Sequence, residues 1–236
     1  MPGSSGSGIA AVVASLDLDA TRYTESIRIQ ETGCEYIDGL EGMAVDLLKA
    51  FYRTCTRKPE RIVFYRSGVP EGLFADVARN EVSALKRACQ SLEMPYTFAI
   101  TYVFVRKSRH TRFFPTRRGD IDRSQNYKPG LVVDTEIVDP VKFDFYLQSH
   151  ATVLGTSMPA HYHVLYDDNK FSSDELQLLT YRLCYLNSRD TRATSMVLPV
   201  YYAHLVALRA RFHTRLDWDD NWTPKAYDAV KPSLCN

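Results

Sequence analysis

The stretch Ile62-Val63-Phe64-Tyr65-Arg66-Ser67-Gly68-Val69-Pro70-Glu71-Gly72 has the residue types and order that could do chemistry. A run of apolar, strand-forming residues delivers Arg66 and Ser67 into a Gly-rich turn, and an amphipathic helical pattern follows. In α/β proteins, polar residues at the carboxyl ends of strands line the functional cleft. Ser67 offers a neutral hydroxyl. It cannot supply the charge with which carboxylates hold a hard cation such as Mg²⁺.

Charge supplies the second chemical signal. Between Arg106 and Lys128 lie eight basic residues (Arg106, Lys107, Arg109, Arg112, Arg117, Arg118, Arg123, Lys128) against Asp120 and Asp122, a local balance of +6 within a chain of net charge +1. Arg189, Arg192, Arg209, Arg211 and Arg215 form a later cluster. Such clusters either keep a surface solvated or meet a phosphate backbone, where each contact releases counterions and adds sequence-independent affinity.

Composition sets the outer bounds. The 236 residues, 45% hydrophobic and 24% charged, are enough to bury one large core. No apolar run approaches the ~18 residues of a membrane-spanning helix, and the opening Met-Pro-Gly-Ser-Ser-Gly-Ser-Gly lacks the basic and apolar regions of a signal peptide. An intracellular setting is the expectation. Cys34, Cys55, Cys89, Cys184 and Cys235 are odd in number and lack Cys-x-x-Cys spacing, so they read as reduced thiols rather than a disulfide framework or zinc site.

The elements that must position these residues alternate along the chain. Ile9 to Leu16 and Glu25 to Gln30 read as paired strands joined by a turn at Asp17-Leu18-Asp19-Ala20. Ile37, Leu40, Met43, Ala44, Leu47, Leu48 and Phe51 recur at helical spacing. Arg61 to Tyr65, a helix through Phe74 to Leu92, and Phe98 to Val105 give strand, helix, strand. Gly130 to Thr135, Asp144 to Leu147 and His161 to Tyr166 are further strands, and Ser172 with Glu175 forms a capping box that opens a helix. In a last helix over Tyr201 to His213, the apolar stripe is expected to run through Tyr201, Leu205, Leu208 and Phe212.

Several blocks together resemble the PIWI domain of eukaryotic Argonautes. They include Ile9-Ala10-Ala11-Val12-Val13, the Arg66-Ser67-Gly68 turn, His110-Thr111-Arg112, Val133-Asp134-Thr135, Phe143-Asp144-Phe145-Tyr146-Leu147, Gly155-Thr156-Ser157, His161-Tyr162-His163-Val164-Leu165, Asp167-Asp168-Asn169 and Tyr201-Tyr202-Ala203-His204-Leu205. The resemblance implies an α/β fold of RNase H type, a mixed sheet flanked by helices. It implies a partial PIWI domain over residues 9–213, without PAZ and MID domains, between a disordered segment 1–8 and a divergent tail 214–236. The family's first, central strand carries a Gly-Ala-Asp-Val-Thr-His-Pro-like motif and lies upstream of Ile9, so a gap in the sheet is expected.

Active family members hold two divalent metals with two Asp, one Glu and a His or Asp. By resemblance Glu35 matches the Glu, His204 the fourth ligand, and Ser67 stands where the family has its second Asp. These three are remnant catalytic positions, with Glu35 and His204 an incomplete metal site. Asp17, Asp19, Asp134 and Asp167 give no spacing that restores it. The resemblance also places Lys107, His110, Arg112, Arg189, Arg192, Ser195, Tyr201 and Arg209 along RNA, while Ser108 and Met158 stand where the family has basic residues. It implies a guide RNA and a complementary target RNA as partners, in cytoplasmic or nuclear small-RNA-guided silencing. The binding reading requires no cofactor. The alternatives are an endoribonuclease using Mg²⁺ or Mn²⁺, and a protein-interaction remnant that docks Trp-containing silencing proteins.

Overall fold

The computed structural model describes residues 7–93, 96–107 and 110–213. Of the segment 1–8 expected to be disordered, Ser7 and Gly8 instead begin the first strand, because they pair with Glu31 and Gln30, and residues 1–6 lie outside this range, as do Ser108, Arg109 and the tail 214–236 with Arg215. Strands β1 (Ser7–Ser15) and β2 (Tyr23–Glu31) pair antiparallel as a separate two-stranded sheet. Asp17 organises their turn by accepting from the Thr21 backbone N–H at 2.8 Å and the Thr21 hydroxyl at 2.5 Å.

A second sheet has five strands in the order β3-β4-β7-β6-β5. They are β3 (Arg61–Arg66), β4 (Ala99–Lys107), β5 (Leu131–Val133), β6 (Phe143–Gln148) and β7 (Ala160–Asp167). β3 and β4 run parallel, because α2 (Phe74–Leu92) carries the chain back between them; the remaining neighbours are antiparallel. The mixed α/β sheet flanked by helices is the one that the sequence implies.

Alternation decides which face each strand residue serves. Ile100, Tyr102 and Phe104 of β4 join a core with α1 (Leu40–Cys55) and α2, whereas Val103 and Val105 join Phe145, Leu147 and Tyr162 on the opposite face. That second face is covered by α3 (Ser173–Leu183) and the start of α4 (Leu198–His213). The expected capping box is present: Ser172 Oγ accepts from Glu175 N–H, and the Ser172 N–H donates to Glu175 Oε2 at 2.9 Å.

Two expectations need correction. Ile37 precedes α1 rather than lying in it, although its side chain still packs on the core. The predicted stripe of α4 is not its buried face, since Leu208 is 53% and Phe212 82% exposed. The contact face is instead made by Val206 and Ala210, which pack with Ile9, Ala11 and Ile27 of the β1–β2 hairpin. Small residues let the helix approach the hairpin closely, and counting only large apolar residues picks the wrong side.

The expected gap in the sheet is found between β1 and β3. Among the described residues, β1 has only β2 as a strand neighbour and β3 only β4, and a cavity of about 720 Å³ separates the two free edges.

Candidate catalytic remnant and nucleic-acid interface

β3 ends at Arg66, and Gly68 takes a φ of 82°, a left-handed conformation suited to glycine, as the chain turns toward α2. The turn points Ser67 at α4. There Ser67 Oγ lies 2.9 Å from His204 Nε2, so two of the three remnant positions are hydrogen-bonded to each other. Partial desolvation lowers the His204 pKa below its ordinary value, which favours the neutral ring.

The neighbouring residue fastens the third position. Arg66 Nε donates to the Glu81 carboxylate at 3.2 and 3.3 Å, while its terminal nitrogens donate to the Ser67 carbonyl and, at 2.9 Å, to the Glu35 carbonyl. Glu81 is 2% exposed and also accepts from the Tyr102 hydroxyl at 2.5 Å and the Ile37 N–H at 3.2 Å. Arg66 thus ties the backbones at Glu35 and Ser67 to a buried carboxylate. The Glu35 side chain makes no hydrogen bond or ion pair among the described residues.

None of the other aspartates considered joins this turn through a hydrogen bond. Asp134 accepts from Gln177, Asp167 from the Thr101 hydroxyl and the Phe171 N–H, and Asp17 from its own turn.

Sequence reasoning missed the Arg66–Glu81 hub and one buried cluster. Among the described residues, the sole grouping of three metal-capable side chains is Asp144, His161 and His163, whose donor atoms lie within 4.8 Å of one another. Alternation in His161-Tyr162-His163 could have shown that the two imidazoles share a face of the strand, but Asp144 joins them only through the pairing of β6 with β7. His161 Nε2 lies 2.6 Å from Asp144 Oδ2, and His163 Nδ1 lies 4.0 Å from it. Burial lowers both imidazole pKa values, that of His163 to about 4, with the His161 ring as a further cause there. Among the described residues, the outer nitrogens, His161 Nδ1 and His163 Nε2, have no hydrogen-bond partner. Metal-ligating imidazoles ordinarily donate that second N–H to an oxygen, so the cluster reads as a structural His–Asp pair beside a second neutral ring.

The basic residues come from two distant parts of the chain, and one contact joins them. Lys107 Nζ, at the end of β4, donates to Ser195 Oγ at 3.3 Å in the segment between α3 and α4. Arg189 and Arg192 are exposed in that segment, Arg209 is exposed on α4, and Tyr201 is half-buried one turn into α4. The guanidinium groups of Arg189, Arg192 and Arg209 have no ion pair among the described residues. Arg112 donates to the Thr111 carbonyl at 2.7 Å, and His110 is exposed. Arg106, by contrast, is paired with Glu71 at 3.1 Å.

A model of the Piwi domain matches residues 2–215, nearly the whole chain. This chain belongs to the Piwi domain family. The five-stranded sheet and its flanking helices are similar to the C-terminal lobe of a budding yeast Argonaute, with a TM-score of 0.79, 28% identity, and coverage of 86% of this chain and 46% of that one. Kluyveromyces polysporus Argonaute with a guide RNA gives a TM-score of 0.79 at 28% identity, covering 86% of this chain and 28% of that one. Drosophila Piwi gives 0.70 at 27% identity, covering 88% and 30%. The PIWI domain described here therefore spans less than half the length of each of these matched chains.

Proposed function

We propose that this PIWI domain binds RNA and serves small-RNA-guided silencing without cutting the target. The observation that carries the reading is the Lys107–Ser195 contact, which brings the end of β4 to the segment bearing Arg189 and Arg192. Exposed guanidinium groups without an ion pair suit phosphate oxygens, to which they donate forked hydrogen bonds. One of the matched Argonautes was solved with a guide RNA. On this reading His110, Arg112, Tyr201 and Arg209 extend the same path, a complementary target pairs with the guide, and binding needs no cofactor.

The groups at the β3 turn do not fit a pair of divalent cations. Ser67 and His204 satisfy each other, and Glu35 is the only carboxylate among the three remnant positions. Two-metal phosphodiester cleavage needs enough negative charge to hold both ions beside the attacking and leaving oxygens. A neutral hydroxyl bonded to a neutral imidazole does not supply it.

The test combines binding and single-turnover cleavage. Arg192→Ala with Arg209→Ala in a folded protein should weaken single-stranded RNA binding about tenfold or more, as expected for lost phosphate contacts. Guide-loaded protein should release no specific product from a complementary target in Mg²⁺ or Mn²⁺. Unchanged RNA affinity would remove the arginines from the path. Metal-dependent cutting that disappears on Glu35→Ala would replace this reading with the endoribonuclease.

A further inference from the structure

Residues 117–128, the distal part of the basic segment, fold as a small hairpin with a fixed frame. Ile121 bridges Tyr127 antiparallel, the Asp122 N–H donates to the Asn126 carbonyl at 2.8 Å, and the Lys128 N–H donates to the Asp120 carbonyl at 3.0 Å. The Asp122 carboxylate closes the tip by accepting from the Ser124 and Asn126 N–H groups at 2.8 and 2.9 Å. Two side-chain amides fasten the hairpin to the sheet. Asn126, 4% exposed, accepts from the Ser157 N–H at 2.8 Å and donates to the Gly155 carbonyl at 2.9 Å, and Gln148 at the end of β6 donates to the Tyr127 carbonyl at 3.0 Å.

This frame displays charge that the protein itself does not neutralise. Arg117, Arg118, Arg123 and Lys128 are all exposed, and none makes an ion pair among the described residues. Of the two acidic residues in the hairpin, Asp122 is committed to the tip. An aromatic ring stands beside the cations. Phe113 is anchored edge-on against Tyr146 of β6, with ring centres 5.7 Å apart, while its neighbour Phe114 is 68% exposed. Three residues separate Phe114 from Arg117, so their Cα atoms lie within about 11 Å. Solvation needs charge alone; an exposed ring beside unpaired guanidinium groups on a fixed frame is the pairing that takes a base on its face and phosphates at its edge.

Strand register gives the hairpin its place. Lys107 pairs with Ala160, Ala160 with Leu147, and Gln148 with Leu131, so the chain enters β5 from the same end of the sheet at which Lys107 leaves β4. β5 is three strands from β4, about 14 Å at the spacing of neighbouring strands. We propose that the hairpin and Phe114 form a second RNA-binding arm, separate from the Lys107–Ser195 junction, that stacks one base on Phe114 and holds the flanking phosphates of a single strand with Arg117, Arg118 and Arg123. The choice of RNA as occupant rests on the RNA-binding reading above. The fixed frame lowers the ordering cost of these contacts.

The test measures anisotropy of a fluorescein-labelled oligouridylate, long enough to reach both sites, across a salt titration. Replacing Arg117, Arg118 and Arg123 together with Ala should weaken binding at least tenfold and make the salt slope shallower by about 2.1, three contacts at 0.7 each. The same three positions as Lys should keep the slope. Phe114→Ala should weaken binding at least fivefold with the slope unchanged, and in Phe114→Trp the added indole fluorescence should be quenched by the RNA, as stacking requires. Unchanged affinity and slope in the triple Ala protein, with binding still lost in Arg192→Ala, Arg209→Ala, would overturn the arm and leave the guide path standing; the converse result would remove the guide path and keep the arm. No binding of RNA by the unsubstituted chain would overturn both. Weakened binding of polyglutamate with unchanged binding of RNA would overturn the arm in favour of an acidic protein partner.

Discussion

Arg66 holds the turn that carries the remnant site, and its partner Glu81 is buried. The pair differs from a surface ion pair because the Arg66 side chain is 16% and the Glu81 side chain 2% exposed. Removing one partner strands a charge in the core. Arg66→Ala should therefore cost roughly 3–5 kcal/mol in denaturant unfolding, and Glu81→Gln less, because the amide still accepts from Tyr102. A second residue-scale effect concerns acid. His163 is buried neutral with a pKa near 4, below the ~6.5 of an exposed ring, so the unfolded chain binds more protons than the folded one between those values. Stability contributed by the neutral ring is complete above pH 6.5 and is lost as pH falls toward 4, up to roughly 3 kcal/mol. Asp144, His161, Glu71 and Arg106 act on the same ring. His163→Asn should flatten the stability profile in that window, and thermal unfolding as a function of pH reads it.

At the scale of elements, α4 matters most, because it supplies His204 to the turn and fastens the β1–β2 hairpin. No strand pairing connects the hairpin to the other sheet among the described residues, so it is held through helix packing. Ala210 is fully buried against Ile27. Ala210→Leu adds volume at a close contact, where overpacking costs about 1–3 kcal/mol. Amide exchange should quicken through β1 and β2 while β4 and β7 keep their protection. Equal loss of protection in all four strands would show that the two sheets unfold as one unit.

At the scale of the whole molecule, the surface charge is divided by pairing rather than by sequence position. Arg106 is partly neutralised by Glu71, whereas Arg189, Arg192 and Arg209 have no ion pair among the described residues. If the latter contact RNA phosphates, the logarithm of the binding constant should fall linearly with the logarithm of salt concentration, by about 0.7 per phosphate contact on a single strand. The Arg192→Ala, Arg209→Ala protein should show a slope shallower by about 1.4. An unchanged slope in a salt titration would show that these side chains meet no phosphate.

The sequence by itself determined the order and kind of most elements, because period-two and helical patterns are local properties of neighbouring residues. The strand from Arg61, the capping box at Ser172 and the His161-Tyr162-His163 alternation were all readable in that way, and so was the Piwi family. Tertiary structure alone decided that Ser67 meets His204, since those residues are 137 positions apart. It likewise chose the Val206–Ala210 face of α4 over its large apolar stripe, by packing the hairpin's Ile9, Ala11 and Ile27 against that face. Arg66–Glu81 and Asp144–His161 were invisible for the same reason: a buried polar residue is recognised by the partner that satisfies it, and that partner is fixed only when sheets and helices are packed.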